Sequence, residues 1–475
     1  MMSSINSFGY REELSRSMNG FSSFAISFSL ISVLTGIFAN FNFGYQQVGG
    51  VITWSWLIVA SGQFFVAMVM ARLSIQFPIV GYGYQWASRL INAHFGFFVG
   101  WVLLIQFITG FPSICKTFAT TFVNILNLNI SDQALSFITI AIISAVTLIH
   151  LLGIQIAAKV NDLGVFAEII GVMLLVFLLA GIWMISGNAS LTTLHSSTKY
   201  LGEYSLNFSS FSLSLLLGAW GLTGFEAAAD LAEETKSPTT AIPNAIILSL
   251  VASSISGFFI LLFLVAHANS IVNKDEHLLV SILTNTIGIR MTSALLIFVL
   301  ISIFACAVAS MATASRLLYS FARDKIVPFS GWISLVGKKS KSPKNATIVI
   351  WGLSCLSIIA LKRIEIISSV SALASYLGYL GILIATIMSK PISIHGKGFF
   401  YNSMWHKPIQ WIAFCWVIFV IVSLSYPETK VEGFETNHLP LITTGIAIGI
   451  GALMYLLYVR KKINKGLAGP PPINK

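Results

Sequence analysis

The sequence Leu217-Gly218-Ala219-Trp220-Gly221-Leu222-Thr223-Gly224-Phe225-Glu226 lies inside an apolar segment long enough to cross a bilayer. It nevertheless places three glycines, a hydroxyl and a carboxylate at membrane depth. Glycine weakens a helix by about 1 kcal/mol relative to alanine, and an ionisable group near the bilayer centre costs at least about 2.5 kcal/mol. We therefore predict that the helix is interrupted around residues 220–224 and that this interruption lines a substrate site.

The rest of the chain has the composition of a membrane protein. Of its 475 residues, 56% are hydrophobic and 9% are charged, which is too few charges for a soluble surface. Apolar runs of about 20 residues recur, the length that spans the hydrocarbon core as a helix. The sequence therefore predicts an all-α polytopic membrane protein with twelve transmembrane helices. These are 21–46, 50–71, 95–115, 134–152, 163–185, 206–231, 245–267, 293–318, 346–361, 366–388, 409–424 and 441–459.

Basic residues are distributed unevenly between the two sides that twelve spans define. An even number of spans places both termini on one side, and the segments on that side contain 21 of the 28 Lys and Arg residues. Because basic residues are retained in the cytoplasm, both termini are predicted to be cytoplasmic, in a plasma membrane protein. The same distribution accounts for the net charge of +11 without a nucleic-acid partner.

No connecting segment is long enough for a soluble domain. Residues 1–20 are predicted to be a cytoplasmic N-terminal segment without a cleavage site, 21–390 a transport core of helices 1–10, and 391–460 helices 11 and 12. Residues 461–475 contain Gly-Pro-Pro-Pro and are predicted to be a disordered cytoplasmic tail. The scattered cysteines predict neither a disulfide framework nor a metal site, and no cofactor is expected. These cysteines are Cys115, Cys306, Cys355 and Cys415.

A second interruption is predicted in the first span, Ser32-Val33-Leu34-Thr35-Gly36-Ile37-Phe38-Ala39-Asn40, where Thr35 and Gly36 lie near the middle. It precedes the first interruption by five helices, and such matched pairs are typical of inverted-repeat transporters. Half-helix N-termini attract carboxylates and half-helix C-termini attract cations, so the pair suits a zwitterion such as an amino acid. The alternative is that these glycines only let two membrane helices approach closely.

These segments resemble the signatures of the amino acid–polyamine–organocation (APC) superfamily of permeases. Thr35-Gly36-Ile37-Phe38 is similar to the end of the Gly-Ser-Gly-Ile-Phe signature in helix 1. Gly224-Phe225-Glu226, with Ala232-Glu233-Glu234-Thr235-Lys236-Ser237-Pro238 after it, resembles the helix 6 signature and is the most specific part. Val80-Gly81-Tyr82-Gly83-Tyr84 resembles the Gly-Gly-x-Tyr segment after helix 2. The match covers nearly the whole chain and is nearest to the branch of GABA, basic amino acid and choline permeases.

The resemblance implies a LeuT-like fold of five-plus-five inverted helices, with helices 1 and 6 broken, and secondary active transport by alternating access. In one departure, Leu34 occupies the place of the first signature glycine. The helix 1 backbone would receive the substrate carboxylate, and carbonyl groups of helix 6 would take the amino group. Trp220 would be an aromatic gate, or else an ordinary packing aromatic. The substrate-binding residues implied are Thr35, Gly36, Ile37, Trp220, Gly221, Thr223 and Gly224.

Two carboxylates lie well inside the predicted spans. Glu226 belongs to the helix 6 signature and would orient the break. Glu168 follows Asn161 by seven residues, where proton-coupled members of the family carry a lysine in place of a sodium ion. Because intramembrane ionisable residues are functional candidates, Glu168 is predicted to carry a proton during transport. The alternative is a structural glutamate bonded to a neighbouring helix.

The function predicted is that of a permease for amino acids or related small amines, coupled to protons as a symporter or working by exchange as an antiporter. Its partners would be the substrate, protons and membrane lipid. The lack of other central charges favours neutral substrates. Alternatives are a transport-inactive nutrient sensor of the same fold, a choline or polyamine transporter, or a channel. An enzyme is not predicted, because the sequence has no nucleophile–base or metal constellation.

Overall fold

The computed structural model describes residues 5–126, 128–196, 208–268, 278–337, 340–361, 363–389, 405–425 and 439–473. Within these ranges the long elements are helices, and pairing of the β type is limited to one bridge between Met18 and Thr235. The helices are α1 (Gly20–Ile31), α2 (Val33–Val48), α3 (Ile52–Gln76), α4 (Tyr82–Leu90), α5 (Ala93–Ile125), α6 (Asp132–Leu152), α7 (Ile154–Ser186), α8 (Phe208–Gly221), α9 (Ala227–Asp230), α10 (Pro238–Ala266), α11 (Leu278–Ile287), α12 (Ile289–Arg323), α13 (Ser330–Ile333), α14 (Lys344–Ala360), α15 (Ile364–Met388), α16 (His406–Ser425), α17 (Leu439–Met454) and α18 (Arg460–Asn464).

Nine helical ranges of the described chain are long and apolar enough to cross a membrane. The first range, Gly20–Gln76, contains both predicted spans 1 and 2, and predicted spans 6 and 9 correspond to the shorter apolar helices α8 and α14. The chain is therefore an all-helical polytopic membrane protein. The boundary predicted at residue 390 and the first two residues of predicted span 6 lie outside the described residues. So do several of the basic residues used for orientation: Lys199, Lys274, Lys338, Lys339, Lys362, Lys390, Lys397, Lys430 and Lys475.

The third predicted span is longer in the structure than the sequence indicates. Its predicted end at residue 115, before Lys116, is wrong, because α5 continues to Ile125. Lys116 lies inside this helix with a side chain that is only 8% exposed. A single lysine does not end a helix, since lysine is a good helix former and its long aliphatic stem packs against apolar neighbours.

The outer helices expose the apolar surface that a bilayer requires. α6 presents Phe137 and Leu148 outward, and α17 presents Ile450 and Leu453. The inner part of the bundle is formed by α1, α2, α5, α8, α12 and α15, which pack on one another. The two interrupted helices described below are therefore enclosed by protein, where irregular backbone at membrane depth is tolerated.

The N-terminal segment and the tail are packed against the end of the bundle at which they lie. Ile5, Phe8 and Leu14 are buried. The sequence predicts a disordered tail from residue 461, whereas α18 extends the last helix to Asn464 and the Gly469 N–H donates to the Asp324 carbonyl oxygen at 2.8 Å. The contacts of the tail with the bundle were not visible in its composition, which is rich in glycine and proline.

A buried carboxylate organises this end of the bundle. Asp324 follows α12 and accepts hydrogen bonds from the hydroxyl groups of Tyr10, at 2.8 Å, and Tyr84, at 2.6 Å, and from the Gln85 amide at 2.8 Å. Burial raises the pKa of the Asp324 carboxyl, while the neighbouring Arg323 guanidinium and these three donors lower it. The N-terminal segment is thus fixed to α4 and to the end of α12.

The Ala-Glu-Glu part of the helix 6 signature is held by ion pairs with α12. Arg316 donates to both carboxylate oxygens of Glu234 at 2.8 Å, and the two side chains are 1% and 0% exposed. Arg323 pairs with Glu233 at 3.0 Å, and Glu233 also accepts from the Val80 N–H at 3.1 Å. The segments around residues 80–84 and 232–238, which carry two of the signatures, therefore meet at one place.

We expect Glu234→Gln to lower the thermal stability of the detergent-solubilised protein, because it leaves the Arg316 guanidinium buried without its counter-ion. Removal of one partner of a buried pair costs about 3–5 kcal/mol. The matched control is Glu12→Gln, which breaks the exposed Arg16–Glu12 pair and should change stability by less than about 1 kcal/mol. Equal melting temperatures for the two variants would contradict the assigned role of the buried pair.

Candidate functional site at two interrupted helices

The first span is interrupted at Ser32. α1 ends at Ile31, Ser32 adopts a left-handed conformation with φ 34° and ψ 89°, and α2 begins at Val33. The Ser32 carbonyl oxygen accepts from the Gly36 N–H at 2.9 Å, and its hydroxyl oxygen accepts from the Thr35 N–H at 3.3 Å. The interruption was predicted at Thr35 and Gly36 and lies three to four residues earlier in the chain. Both of these residues are in the first turn of α2.

The sixth predicted span is interrupted where its sequence indicates. α8 ends at Gly221 and helical structure resumes at Ala227. Gly224 has φ 101°, a conformation that favours glycine because a side chain would clash with the backbone. The Gly224 N–H donates to the Glu226 carboxylate at 3.2 Å. The glutamate of the signature therefore stabilises the non-helical turn that precedes it.

The two interruptions contact each other directly. A Cβ atom added at Gly36 would lie 2.9 Å from the Cα atom of Gly221, and one added at Gly224 would lie 2.7 Å from the Leu30 side chain. The glycines therefore do allow a close approach of the two helices, but this is not their only role, as the alternative interpretation held. Close packing and interruption occur together here, since the backbones can approach only where both helices lack side chains.

Ser27 on α1 satisfies two backbone groups that the interruption of helix 6 exposes. Its hydroxyl donates to the Phe225 carbonyl oxygen at 2.8 Å and accepts from the Ala228 N–H at 3.0 Å. Ser27 is fully buried. The role of Ser27 was not predictable from the sequence, because one hydroxyl in an apolar helix usually bonds to its own helix and its partner lies about 200 residues away.

A small cavity lies between the interruptions and the helices that surround them. Thr35, Trp220, Thr223 and Gly224 are the predicted binding residues that line it. Trp220 is 7% exposed, as a buried wall of this cavity. The other lining residues are Leu30, Ile31, Gln106, Phe107, Gly110, Ile114, Cys306, Ser310 and Ser371. No side chain in this lining is charged, so the cavity suits a ligand without a net charge.

Three predicted binding residues do not line the cavity. Gly36 and Gly221 form the contact between the helices behind it, and Ile37 is buried in α2.

At the interruption of helix 6, the Trp220 carbonyl oxygen accepts from both the N–H, at 3.2 Å, and the hydroxyl, at 2.7 Å, of Thr223. The carbonyl groups of Gly221 and Thr223 have no backbone donor among the described residues.

Glu226 lies beside the cavity in a fully paired environment. It is 0% exposed. One oxygen accepts from the Tyr379 hydroxyl at 2.9 Å, the other accepts from the Gly224 N–H, and the Gln106 side chain faces the carboxylate from α5. Both oxygens are therefore occupied by donors that fix the turn of helix 6 to α15, which is a positioning arrangement.

Glu168 on α7 lies at the N-terminus of α2, the second half of the interrupted helix 1. The N–H groups of Val33 and Leu34 and the hydroxyl groups of Ser32 and Ser302 face its carboxylate. Glu168 is 1% exposed, and neither oxygen has a hydrogen-bond partner of good geometry in the described part of the chain. The positive end of a helix favours a carboxylate. Glu168 therefore occupies the neighbourhood that the sequence assigns to the substrate carboxylate.

Cys306 on α12 lines the cavity and contacts helix 1. Its thiol donates to the Leu30 carbonyl oxygen at 3.4 Å, and it lines the cavity next to Thr35. The sequence did not predict this cysteine at the site. Its position, like those of Ser310 and Ser371, was not predictable, because small residues on inner helices carry no pattern that distinguishes a cavity wall from a helix contact.

A helical membrane bundle in which two interrupted helices enclose a buried cavity has the features of a membrane transport protein. The family model described as "Amino acid permease" matches residues 18–453. The chain therefore belongs to the amino acid permease family, within the APC superfamily that the signatures resemble.

Similar proteins cover nearly the whole chain. Amino-acid permease BAT1 of Arabidopsis thaliana is 25% identical over 486 residues, which cover 93% of this chain and 92% of the relative. Its homolog in Oryza sativa subsp. japonica is 26% identical over 492 residues, with 93% and 91% covered. An uncharacterized amino-acid permease of Schizosaccharomyces pombe is 24% identical over 442 residues, with 89% and 79% covered.

Proposed function

We propose that this permease is a secondary active transporter that moves neutral amino acids or related small amines by alternating access. One observation carries the proposal: the uncharged cavity lies between the two interrupted helices, with the N-terminus of α2 and the C-terminus of α8 beside it. The two half-helix ends offer N–H groups for a carboxylate and carbonyl groups for an ammonium group. A zwitterion satisfies both ends without a charged side chain.

In this proposal the N-terminal end of α2 receives the substrate carboxylate, with the Thr35 hydroxyl beside it. The carbonyl group of Thr223, which lines the cavity, receives the amino group. Trp220 closes the cavity as an aromatic gate, since a buried ring can seal a cavity and leave by rotation of its side chain. The absence of a carboxylate from the cavity lining favours amino acids over polyamines, which would need an acidic partner.

Glu168 is the proposed proton carrier. Its carboxylate and the substrate carboxylate would compete for the N–H groups at the start of α2, and two adjacent anions repel each other in a medium of low dielectric constant. Substrate binding would therefore favour protonation of Glu168. The proposal also includes twelve spans, from the apolar runs of the sequence, and cytoplasmic termini, from its basic residues. It further includes two inverted repeats of five helices, as the resemblance implies, and a plasma membrane location.

The test is uptake of labelled amino acids into proteoliposomes that contain the purified protein. We expect saturable uptake, counterflow stimulated by internal substrate, and stimulation by an inwardly directed proton gradient. Binding without any flux would support the nutrient sensor instead. Flux without saturation or counterflow would support a channel, and uptake of choline or a polyamine but of no amino acid would contradict the substrate assignment.

A further inference from the structure

Gln106 is a buried side chain with one unused hydrogen-bonding atom at the cavity. It projects from α5, is 5% exposed and lines the cavity. Its Oε1 atom has no hydrogen-bond partner among the described residues. A buried acceptor without a donor is unfavourable, so native proteins seldom keep one without a reason.

The orientation of the Gln106 amide follows from Glu226. Both carboxylate oxygens of Glu226 already accept hydrogen bonds, from Tyr379 and Gly224, and the Gln106 side chain faces the same carboxylate. A carboxylate that accepts on both oxygens requires the amide NH₂ group of Gln106 to point toward it. The amide oxygen is then the atom left for the cavity.

Most other polar groups of the cavity are already engaged within the protein. The Thr223 hydroxyl donates to the main-chain carbonyl oxygen of Trp220 at 2.7 Å. The Ser371 hydroxyl donates to the main-chain carbonyl oxygen of Gln106, not to its side chain, at 3.0 Å. Neither hydroxyl can therefore supply a donor to Oε1 in this arrangement. A ligand in the cavity can supply the missing donor for Oε1.

We infer that Gln106 is a specificity-determining residue that accepts a hydrogen bond from the substrate side chain, so that the preferred substrates are neutral amino acids bearing a hydroxyl or carboxamide group. This inference rests on the proposed function, in which the backbone of helices 1 and 6 holds the carboxylate and the amino group. Gln106 lies on another helix, α5, and can therefore recognise the side chain of the substrate. A site built to bind a hydroxyl discriminates strongly against an isosteric substrate that lacks it.

The test compares L-threonine with L-valine. The two have nearly the same shape, and threonine carries a hydroxyl group where valine carries a methyl group. We expect the wild-type transporter to prefer threonine by about tenfold or more in kcat/KM for uptake into proteoliposomes. Gln106→Met keeps the length of the side chain and removes the acceptor. It should bring the preference close to one, mainly by loss of threonine uptake.

The matched control is Thr109→Val, one turn further along α5. The Thr109 hydroxyl donates to the Ile105 carbonyl oxygen at 2.8 Å and does not line the cavity, so this variant should keep the preference for threonine. If Gln106→Met is inactive in transport, binding of threonine and valine to the purified variant is compared by thermal shift. Gln106→Asn, which keeps the amide but withdraws it, should show an intermediate preference.

The outcomes separate this inference from the proposed function. Wild-type protein that takes up neither amino acid contradicts both. Uptake of both, with a threonine to valine ratio that is near one in the wild type or unchanged in Gln106→Met, overturns the role of Gln106 and leaves the proposed function standing. An equal loss of preference in Thr109→Val also overturns it, since the effect would then come from packing of α5.

Discussion

Replacement of Glu168 by glutamine is expected to abolish uphill, proton-driven accumulation of substrate and to preserve exchange of substrate across the membrane. The carboxylate is buried, lacks a hydrogen-bond partner of good geometry within the described residues, and faces the N–H groups of Val33 and Leu34. Glutamine keeps the size of the side chain and one acceptor oxygen, replaces the other oxygen by an NH₂ donor, and removes the proton that can be gained or lost. The protein can then move substrate in either direction, but no gradient is coupled to the movement.

The measurement is accumulation of labelled amino acid in proteoliposomes with and without an imposed proton gradient, followed by counterflow in the same vesicles. In the wild type the gradient should raise the internal concentration above the external one, and in Glu168→Gln the two should become equal. Asp162→Asn is the control, since it removes a partly exposed carboxylate from the same helix. Undiminished uphill uptake by Glu168→Gln would refute the role of this residue.

Gly36→Val is expected to reduce transport by about 10- to 100-fold, because it separates the two interrupted helices. A Cβ atom at Gly36 would lie 2.9 Å from the Cα atom of Gly221, and backbone cannot move aside as a flexible side chain can. Overpacking of this kind costs about 1–3 kcal/mol or more. The displacement would act on α2 and α8 together, and both helices contribute walls of the cavity.

Two further glycines provide graded controls for this prediction. Gly221→Ala should have a milder effect, because its Cβ atom would lie 3.4 Å from both the Gly36 Cα atom and the Trp56 ring, which is ordinary contact. Gly181→Ala on α7 should leave uptake unchanged, since no atom lies within 4 Å of the added Cβ. Uptake and melting temperature measured together separate a damaged site from a damaged fold. Wild-type uptake by Gly36→Val would show that the contact is dispensable.

The interruption of helix 6 could be predicted from the sequence, whereas the position of the helix 1 interruption could not. Gly221, Gly224 and Glu226 are individually costly in a membrane helix, so their clustering indicated a break at the correct place. In helix 1 the glycine of the signature drew the prediction to Gly36. The chain turns instead at Ser32, whose hydroxyl and carbonyl groups cap α2. A serine carries no comparable signal, because serine is common in ordinary membrane helices.

The sequence by itself determined that the chain is a helical membrane protein, which helices are interrupted, and the signatures of its family. These properties depend on local composition and spacing, and lipid imposes them on each segment separately. Only the tertiary structure decided that Gly36 meets Gly221, that Ser27 satisfies the backbone of helix 6, and that Gln106 lines the cavity with an amide oxygen that has no hydrogen-bond partner among the described residues. Each of these depends on the direction of a side chain toward a helix distant in sequence, and the apolar pattern of an inner helix is nearly the same on every face.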